Sequence, residues 1–394
     1  MIQAKWRLLN YHYYLYESNY VGRFSGSPIL ICDEGDLLEG LLANFVSLRV
    51  PGRLIEKLQI APPRFKTAEA KHGVDSWRDW AENEAGSKVY QRLSVVQQTL
   101  ESIDNPSDSN ISRLKQEEKQ LETIDNRLKI FTHNVNEDWF FEENSGSYLF
   151  RPTWIPEELA QQFFFQHAER FVLMSATFPP VNILGKLLGR PPGDFDYFEV
   201  PSSFPVENRR VWLNPVANLT HKTFEGEVEK TLDGILEVAS DHLDEKGIIH
   251  SVSYKLANTI MDQGLDRFIT HNGDNREEII EQFKKSDQPL ILVSPSAERG
   301  LDLPDDLCGF IIWAKAPFLY LGDKLVSRRV YGSQTGKLWY RSHCAQTIVQ
   351  GCGRGVRHQG DKCVVYILDQ QIHRLILDNR FLFPDYFMEA VDIL

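Results

Sequence analysis

A pair of carboxylates, Asp33 and Glu34, directly follows the short apolar run Ile29–Cys32. Such a run predicts a buried parallel strand that ends in the two acids. Hydrolysis of a nucleotide needs one carboxylate near Mg²⁺ and another group that orients the attacking water. Adjacent acids at a strand end can supply both, although two acids in a surface loop would give the same dipeptide.

A second cluster, residues 350–357 (Gln-Gly-Cys-Gly-Arg-Gly-Val-Arg), ends a stretch with a helical pattern. Its three glycines are poor helix formers, which indicates that the backbone of this segment has a function of its own. Arg354 and Arg357 are three residues apart and would share one face if the segment were helical. Two guanidinium groups directed at one point suit a phosphate or a developing phosphoryl charge. The alternative is a solvated basic turn.

Two further clusters follow predicted strands. Ser175-Ala176-Thr177 comes after Phe171–Met174, where small hydroxyl residues can simply cap a turn. Residues 294–304 follow the apolar run 290–293, and Gly300 in that segment would let the backbone approach a ligand closely. An ordinary strand-to-helix turn is the alternative for this second segment.

The phosphate-binding loop Gly-x-x-x-x-Gly-Lys-[Ser/Thr] does not occur in the sequence. The nearest approach is Gly332–Leu338, whose spacing is one residue short. Leu338 stands where a hydroxyl would bind Mg²⁺. We therefore predict a loop without a phosphate role at Gly332–Leu338.

Strands alternate with helices from about Pro201 to the end of the chain, which predicts a mostly parallel sheet covered on both faces. Ligands of such sheets lie at the carboxyl ends of the strands, where most of the polar clusters fall. The predicted strands are 211–213, 247–250, 268–270, 290–293, 309–313 and 363–368, and the helical stretches include 228–243, 253–263, 277–285 and 342–351.

Apolar residues recur at intervals of three and four on both sides of the turn cluster Asn105–Asn110. This pattern predicts two amphipathic helices in an antiparallel hairpin. The charged residues on their outer faces, such as Lys115, Glu118 and Lys119, are typical of a solvated surface.

The chain of 394 residues is too long for one core of ordinary size, so two or three domains are expected. No apolar run is long enough for a membrane helix, and the first residues lack a signal pattern, so we expect a cytoplasmic protein without membrane contact. A net charge of −12 argues only weakly against nucleic-acid binding, because a basic groove can lie on an acidic body. The five cysteines form no Cys-x-x-Cys pair and are predicted to be buried free thiols.

These clusters, in this order, resemble the XPD/DinG branch of superfamily 2 DNA helicases. The likeness covers nearly the whole chain, with Asp33–Asp36 in place of the Walker B box and Ser175–Thr177 in place of motif III. Motifs IV, V and VI are matched by the segments 247–254, 294–304 and 350–357.

The resemblance implies an α/β fold of RecA-like parallel sheets flanked by helices, one complete and one partial, with an inserted helical arch. Residues 1–50 would then be part of the first motor domain, 51–145 the arch, 146–200 a return to the first domain, and 201–394 the second motor domain.

The resemblance also assigns roles. Asp33 would hold Mg²⁺ through water and Glu34 would position the attacking water. Gln350, Arg354 and Arg357 would face the γ-phosphate of ATP. The residues that would couple hydrolysis to DNA are Ser175, Thr177, Gly300 and Asp302, and those that would contact DNA are Ser253 and Tyr254, with Phe204 as a candidate for base stacking.

The chain departs from the family pattern in three ways. Gly35 and Asp36 replace the usual Ala-His of the box, which puts the usual contact of the histidine in doubt. The Walker A loop and four iron–sulfur cysteines, expected upstream of residue 1, are absent from the sequence, so no iron–sulfur cluster is expected in this chain. Gln371 replaces the arginine of a usual Asp-x-Arg motif.

Two functions remain open at this point. The first is an ATP-dependent helicase or its C-terminal part, which translocates on single-stranded or forked DNA. For this function the resemblance implies movement in the 5′→3′ direction and a P-loop-bearing N-terminal half supplied from elsewhere. The second is an inactive adaptor that binds single-stranded DNA regardless of ATP. In the adaptor, Glu34→Gln would be silent in every assay.

Overall fold

The computed structural model describes residues 5–24, 26–63, 73–103, 109–295, 303 and 305–393. The chain divides into two compact units. Unit 1 comprises residues 1–175 and 184–195, and unit 2 comprises residues 176–183 and 196–394. The finer division into four segments stays a prediction.

Unit 1 contains two small sheets and most of the early helices. The first sheet pairs β1 (Ser27–Cys32) in parallel with β5 (Ala168–Leu173), and the second is antiparallel with the order β2–β4–β3. The strands of the second sheet are β2 Leu48–Val50, β3 Trp139–Asn144 and β4 Ser147–Pro152. The helices are α1 Tyr11–Tyr16, α2 Leu38–Val46, α3 Gly52–Leu58, α4 Gly73–Asp79, α5 Ser87–Glu101, α6 Ser109–Asn134 and α7 Glu157–Phe163, and α8 Val181–Leu188 contains residues of both units.

The predicted helical hairpin is confirmed, because α5 and α6 pack against each other. Their apolar faces join one core with the three-stranded sheet, in which Phe131 and Phe150 are fully buried. β3 and β4 are linked by Ser145 and Gly146, whose φ angles of 50° and 74° are those of a tight hairpin turn.

Among the residues that the structure describes, the β1–β5 sheet is covered on one face only. On that face Phe171 packs against the rings of Phe164 and Phe165. On the other face Ile31 lies beside its partner Val172, and the two side chains are 51% and 44% exposed. The prediction of a buried strand at Ile29–Cys32 is therefore wrong for this face, which the described two-stranded sheet leaves exposed.

Unit 2 contains a seven-stranded sheet in which all strands are parallel. Its order is β12–β6–β11–β10–β7–β9–β8. The strands are β6 Val211–Ala217, β7 Gly247–His250, β8 Phe268–Thr270, β9 Ile291–Ser294, β10 Phe310–Trp313, β11 Val364–Asp369 and β12 Val391–Ile393. The helices are α9 Phe224–Asp241, α10 Tyr254–Met261, α11 Arg276–Lys285, α12 Lys324–Gly332, α13 Gln334–Cys352, α14 Gln370–Asp378 and α15 Asp385–Met388.

The sheet of unit 2 confirms the predicted α/β class and six of the predicted strands. β7, β9 and β10 are buried along their whole length, as expected of central parallel strands. The loop predicted at Gly332–Leu338 is wrong, since α13 begins at Gln334 and Ser333 caps it by accepting a hydrogen bond from the Gly336 amide. Gly336 permits close packing of α12 on α13, because a Cβ there would lie 1.6 Å from the carbonyl oxygen of Arg329.

All five cysteines are free, and four of them are buried while Cys352 is half-buried, which confirms that prediction. None of the helices in the described part of the chain is both long and apolar enough to cross a bilayer.

Candidate functional site

A tight turn at the carboxyl end of β1 carries Asp33 and Glu34, and both side chains are exposed. Glu34 adopts a left-handed backbone conformation with φ 51° and ψ 44°, which is uncommon for a residue with a side chain. Its amide donates a hydrogen bond to Oδ1 of Asp33 over 3.0 Å. The turn is also held by the Tyr11 hydroxyl, which donates to the Asp33 carbonyl oxygen over 2.6 Å. Burial raises the pKa of Tyr11, so this phenol remains a donor at neutral pH.

Asp36 links the carboxylate turn to the segment that follows β5. Its Oδ1 accepts a hydrogen bond of 2.8 Å from the Ser175 hydroxyl. The Gly35 amide donates to the Met174 carbonyl oxygen at the same distance, 2.8 Å. The aspartate that replaces the family's histidine thus makes a contact of its own, and Ser175 lies next to the candidate catalytic turn within unit 1.

The geometry of this turn fits a metal ion that keeps most of its own water. Mg²⁺ commonly takes one or two protein carboxylates and completes its shell with water and phosphate oxygens. In the described residues no group of three or more histidine, cysteine or acidic side chains is arranged to hold a metal. The exposed Asp33 carboxylate therefore matches a water-mediated contact to Mg²⁺ better than a closed metal cage.

The carboxyl-terminal half of α13 binds the segment Ala176–Thr177 within unit 2. Gln350 Nε2 donates to Thr177 Oγ1 over 3.1 Å, and Gln346 Nε2 donates to the Thr177 carbonyl oxygen over 3.3 Å. The Tyr386 hydroxyl donates to the Ala176 carbonyl oxygen over 3.2 Å. Two predicted residues, Thr177 and Gln350, are brought together. Gln346 was missed, although its position one helical turn before Gln350 places it on the same face.

Arg354 and Arg357 lie beyond the end of α13, which terminates at Cys352. Arg354 and Arg357 therefore do not share a helix face, since α13 ends at Cys352 and Gly353 is its C-cap. Arg354 is half-buried and Arg357 is exposed. A loop therefore positions both guanidinium groups. Contacts outside the helix must fix the conformation of this loop.

Asp361, which was not predicted, binds the backbone of the loop that carries Arg354 and Arg357, the arginine loop. Its side chain is fully buried, and Oδ2 accepts hydrogen bonds from the amides of Arg357 and His358 over 2.6 and 2.9 Å. Its Oδ1 lies 2.9 Å from His358 Nε2. The signal in the sequence was only an acid four residues after an arginine, which is too common to be informative.

We expect Asp361→Asn to destabilise the arginine loop, because asparagine lacks the negative charge that strengthens the hydrogen bonds from the two backbone amides. Loss of a charge-assisted hydrogen bond in a buried place costs about 1–3 kcal/mol. The free energy of unfolding, measured by urea denaturation, should fall by that amount. Asp385→Asn, a control at an exposed residue of α15 in the same unit, should change it by less than about 0.5 kcal/mol. Equal stability of wild type and Asp361→Asn would contradict the assigned role.

His250 and Trp313, at the carboxyl ends of β7 and β10, form a stacked pair below the arginine loop. Their ring centroids are 4.1 Å apart and both side chains are buried. A Cβ at Gly351 would lie 2.3 Å from Trp313 and 3.3 Å from His250 Nε2, so the end of α13 rests directly on the pair. Burial, aided by the positive charge of Arg354, lowers the pKa of His250 to about 3. The imidazole is therefore neutral at physiological pH.

The structure says less about the functional roles of the remaining predicted residues. Ser253 caps α10 by accepting a hydrogen bond from the Leu256 amide, and the neighbouring Tyr254 is 52% exposed. Phe204 packs against the core of unit 2, which favours a structural role over base stacking. Gly300 and Asp302 lie outside the described residues.

Parts of the chain are similar in sequence to known helicases. Residues 244–384 match the family model of the helicase C-terminal domain. The ATP-dependent DNA helicase CHL1 of Saccharomyces cerevisiae is 24% identical over 340 residues, which is 73% of this chain and 38% of that protein. The CHL1 of Debaryomyces hansenii is 20% identical over 333 residues, or 72% and 39%. The chain thus spans about two fifths of the length of these relatives.

Solved structures show the same fold. Xpd4 of S. tokodaii superimposes with a TM-score of 0.51 and 14% identity, over 93% of this chain and 75% of that one. An XPD apo structure gives 0.52 and 13%, over 93% and 77%. The match of residues 244–384 to the helicase C-terminal domain and the similarity to CHL1 confirm the predicted resemblance to XPD/DinG-type superfamily 2 helicases.

Proposed function

We propose that this chain is the larger part of an ATP-dependent DNA helicase motor of the XPD type, which couples ATP hydrolysis to 5′→3′ movement along single-stranded DNA. One observation carries the proposal. Ser175 is bonded to the carboxylate turn and Thr177, two residues later, is bonded to the helix that leads to the arginine loop. A three-residue segment with a hydrogen bond at each end can couple a movement of the carboxylate turn to a movement of the arginine loop.

Each of the candidate site residues would carry out one part of ATP hydrolysis. Asp33 would hold Mg²⁺ through water, and the ion would neutralise charge on the nucleotide phosphates. Glu34 would orient the attacking water, and Arg354 and Arg357 would stabilise the negative charge that develops on the transferred phosphoryl group. Gln350 would transmit changes in the conformation of the arginine loop to Thr177 through the hydrogen bond between them.

The exposed face of the β1–β5 sheet supports a partner that supplies the missing phosphate loop. Parallel sheets are almost always covered on both faces. Here Ile29, Ile31, Val172 and Met174 are each between 44% and 54% exposed. The occupant we propose is a β/α segment that carries Gly-x-x-x-x-Gly-Lys-[Ser/Thr], either on the same polypeptide or on another. It would add parallel strands beside β1 and β5 and cover this face with helices.

The proposal is tested by mixing the purified chain with the P-loop-bearing region of an XPD-type helicase. We expect binding and DNA-stimulated ATP hydrolysis by the mixture. Ile31→Glu should weaken binding by at least about tenfold, because it places a charge in a face that must be desolvated. Leu243→Glu, a matched change at a 63% exposed apolar residue of unit 2, should bind as wild type does.

The same experiment separates the motor from the adaptor. In a motor, Glu34→Gln stops hydrolysis by the mixture while DNA binding is retained. In an adaptor, the chain binds single-stranded DNA equally with and without ATP, no mixture hydrolyses ATP, and Glu34→Gln changes nothing. That second set of results would refute the proposed motor.

A further inference from the structure

The backbone of Glu34 is held in a conformation that costs free energy. Its φ of 51° and ψ of 44° are left-handed, and residues with a side chain avoid this region because Cβ comes too close to the following carbonyl oxygen. Rotation of the peptide between Asp33 and Glu34 by about half a turn would bring this φ to a negative value and remove the cost. The surrounding structure must therefore prevent that rotation.

Both polar atoms of this peptide are hydrogen-bonded. The Asp33 carbonyl oxygen accepts a bond of 2.6 Å from the Tyr11 hydroxyl, and the Glu34 amide donates over 3.0 Å to Oδ1 of Asp33. Rotation of the peptide would break both bonds. The second bond uses the carboxylate that would face the water shell of Mg²⁺, and those waters would compete with the amide for Oδ1. The bond from Tyr11 does not depend on the metal.

The helix α1 fixes the position of the Tyr11 hydroxyl. Tyr11 is the first residue of α1, and the Asn10 side chain caps this helix by accepting a bond of 2.8 Å from the Tyr13 amide. Tyr14 and Leu15 of the same helix are buried, at 5% and 1% exposure. Because α1 is anchored in unit 1 through these two side chains, the hydroxyl that binds Asp33 comes from a rigid element.

We propose that Tyr11 is a positioning residue for the candidate active site, because its hydroxyl locks the peptide between Asp33 and Glu34 and so holds Glu34 in its left-handed conformation. Successive side chains of an extended strand point to opposite faces, so Asp33 and Glu34 could not both face one ligand there. The left-handed turn ends this alternation directly after β1. The catalytic consequence rests on the proposed function, whereas the lock itself rests on the geometry of unit 1.

The competing interpretation is that the Tyr11 hydroxyl only adds stability, as any hydrogen bond between a helix and a strand end does. The two interpretations differ in their dependence on residue 34. Glycine adopts the left-handed conformation without a steric cost, so a lock has little to hold in a Glu34→Gly chain. An ordinary stabilising bond would have the same effect in both backgrounds.

The experiment measures amide hydrogen exchange at Gly35 by mass spectrometry, in the full chain and without nucleotide. Gly35 is buried, and its amide donates to the Met174 carbonyl oxygen over 2.8 Å, so its exchange reports opening of the turn. The variants are Tyr11→Phe, Glu34→Gly and the two together. The matched control is Tyr13→Phe, which removes a hydroxyl from a 39% exposed ring of the same helix. Thermal unfolding of each variant confirms that it is folded.

We expect Tyr11→Phe to accelerate exchange at Gly35 by at least about tenfold in the wild-type background, since a hydrogen bond that holds a strained peptide is lost. In the Glu34→Gly background the same change should accelerate exchange by about threefold or less. Tyr13→Phe should stay within about twofold of wild type, as a surface change away from the turn should. Residue 11 is not a sequence neighbour of Gly35, so it does not alter the intrinsic exchange rate.

The second measurement is DNA-stimulated ATP hydrolysis by the chain mixed with a P-loop-bearing region. Tyr11→Phe should lower kcat by about tenfold to a hundredfold, because small displacements of catalytic groups have effects of this size. KM for ATP should be unchanged, since the groups that hold the nucleotide are untouched. Tyr13→Phe should match wild type in both quantities.

Three results would overturn the proposal. Exchange at Gly35 could be unaffected by Tyr11→Phe, which would mean that no lock exists. The acceleration could be equal in the two backgrounds, which would indicate an ordinary stabilising bond. Exchange could accelerate in Tyr11→Phe while an active mixture keeps its kcat, which would mean that hydrolysis does not need the locked turn. If no mixture hydrolyses ATP, the proposed motor fails, and the exchange ratios still decide on the lock.

Discussion

Arg354→Ala is expected to lower DNA-stimulated ATP hydrolysis by about a thousandfold or more in the chain combined with a P-loop-bearing region. A guanidinium group that neutralises charge on the transferred phosphoryl group is worth roughly 10³–10⁵ in kcat in related chemistry. The effect should fall on kcat rather than on KM, because the charge develops only in the transition state. Arg354→Lys should recover little, since an ammonium cannot form the paired hydrogen bonds of a guanidinium.

Lys337→Ala is the matched control for this experiment. Lys337 belongs to the stretch that comes nearest to a phosphate loop in sequence, and the structure places it exposed on α13. Its removal should leave kcat and KM unchanged. If the chain alone hydrolyses ATP and Arg354→Ala stops it, the nucleotide is held by groups other than a supplied phosphate loop, and the need for such a partner would be refuted.

The seven-stranded sheet was predictable because its evidence is local. Short apolar runs such as Gly247–His250 and Val211–Leu213 alternate with helical periodicity, and each becomes a strand at or near the expected bounds. The sequence did not predict β2 and β12, which have three residues each. Their pairing with β4 and β6 depends on tertiary packing that no local period encodes.

The candidate site was predictable only as separate motifs. Residue types and order pointed to Asp33, Thr177 and Gln350, but not to the two hydrogen bonds that connect the motifs. Asp36 appeared only as a departure from the family pattern, yet it binds Ser175 over 2.8 Å. Asp361 and Gln346 act through backbone atoms and one side-chain amide, and such contacts leave no compositional trace.

Surface properties were the least predictable. The charges of α6 looked like an ordinary solvated face, because sequence spacing does not show that Glu117 is engaged by Lys57 and Arg92 from two other helices. For Ile29 and Ile31 the error was in the opposite direction, since these side chains were expected to be buried and are exposed. The sequence correctly indicated residues suited to burial, but burial depends on what lies against the strand.

His250→Leu is expected to abolish a large part of the acid sensitivity of unit 2. Wild-type His250 keeps a pKa of about 3 in the fold, against 6.5 for a free histidine. Between these values the unfolded chain binds a proton that the folded chain does not, so stability falls as pH decreases from about 6.5 towards 3. A shift of this size in a buried group corresponds to roughly 3–5 kcal/mol over that interval.

The measurement is the free energy of urea unfolding of wild type and His250→Leu at several pH values from about 7.5 to about 4, an interval that spans most of the expected change. The variant has a constant cost from the missing stack on Trp313, so the quantity to compare is the slope with pH and not the stability at any one pH. The wild-type curve should be steeper below about pH 6.5 by up to about 1.4 kcal/mol per pH unit, which is one proton. Parallel curves would mean that His250 is protonated in the fold, and the end of α13 would then rest on a cation beside Arg354 rather than on a neutral ring.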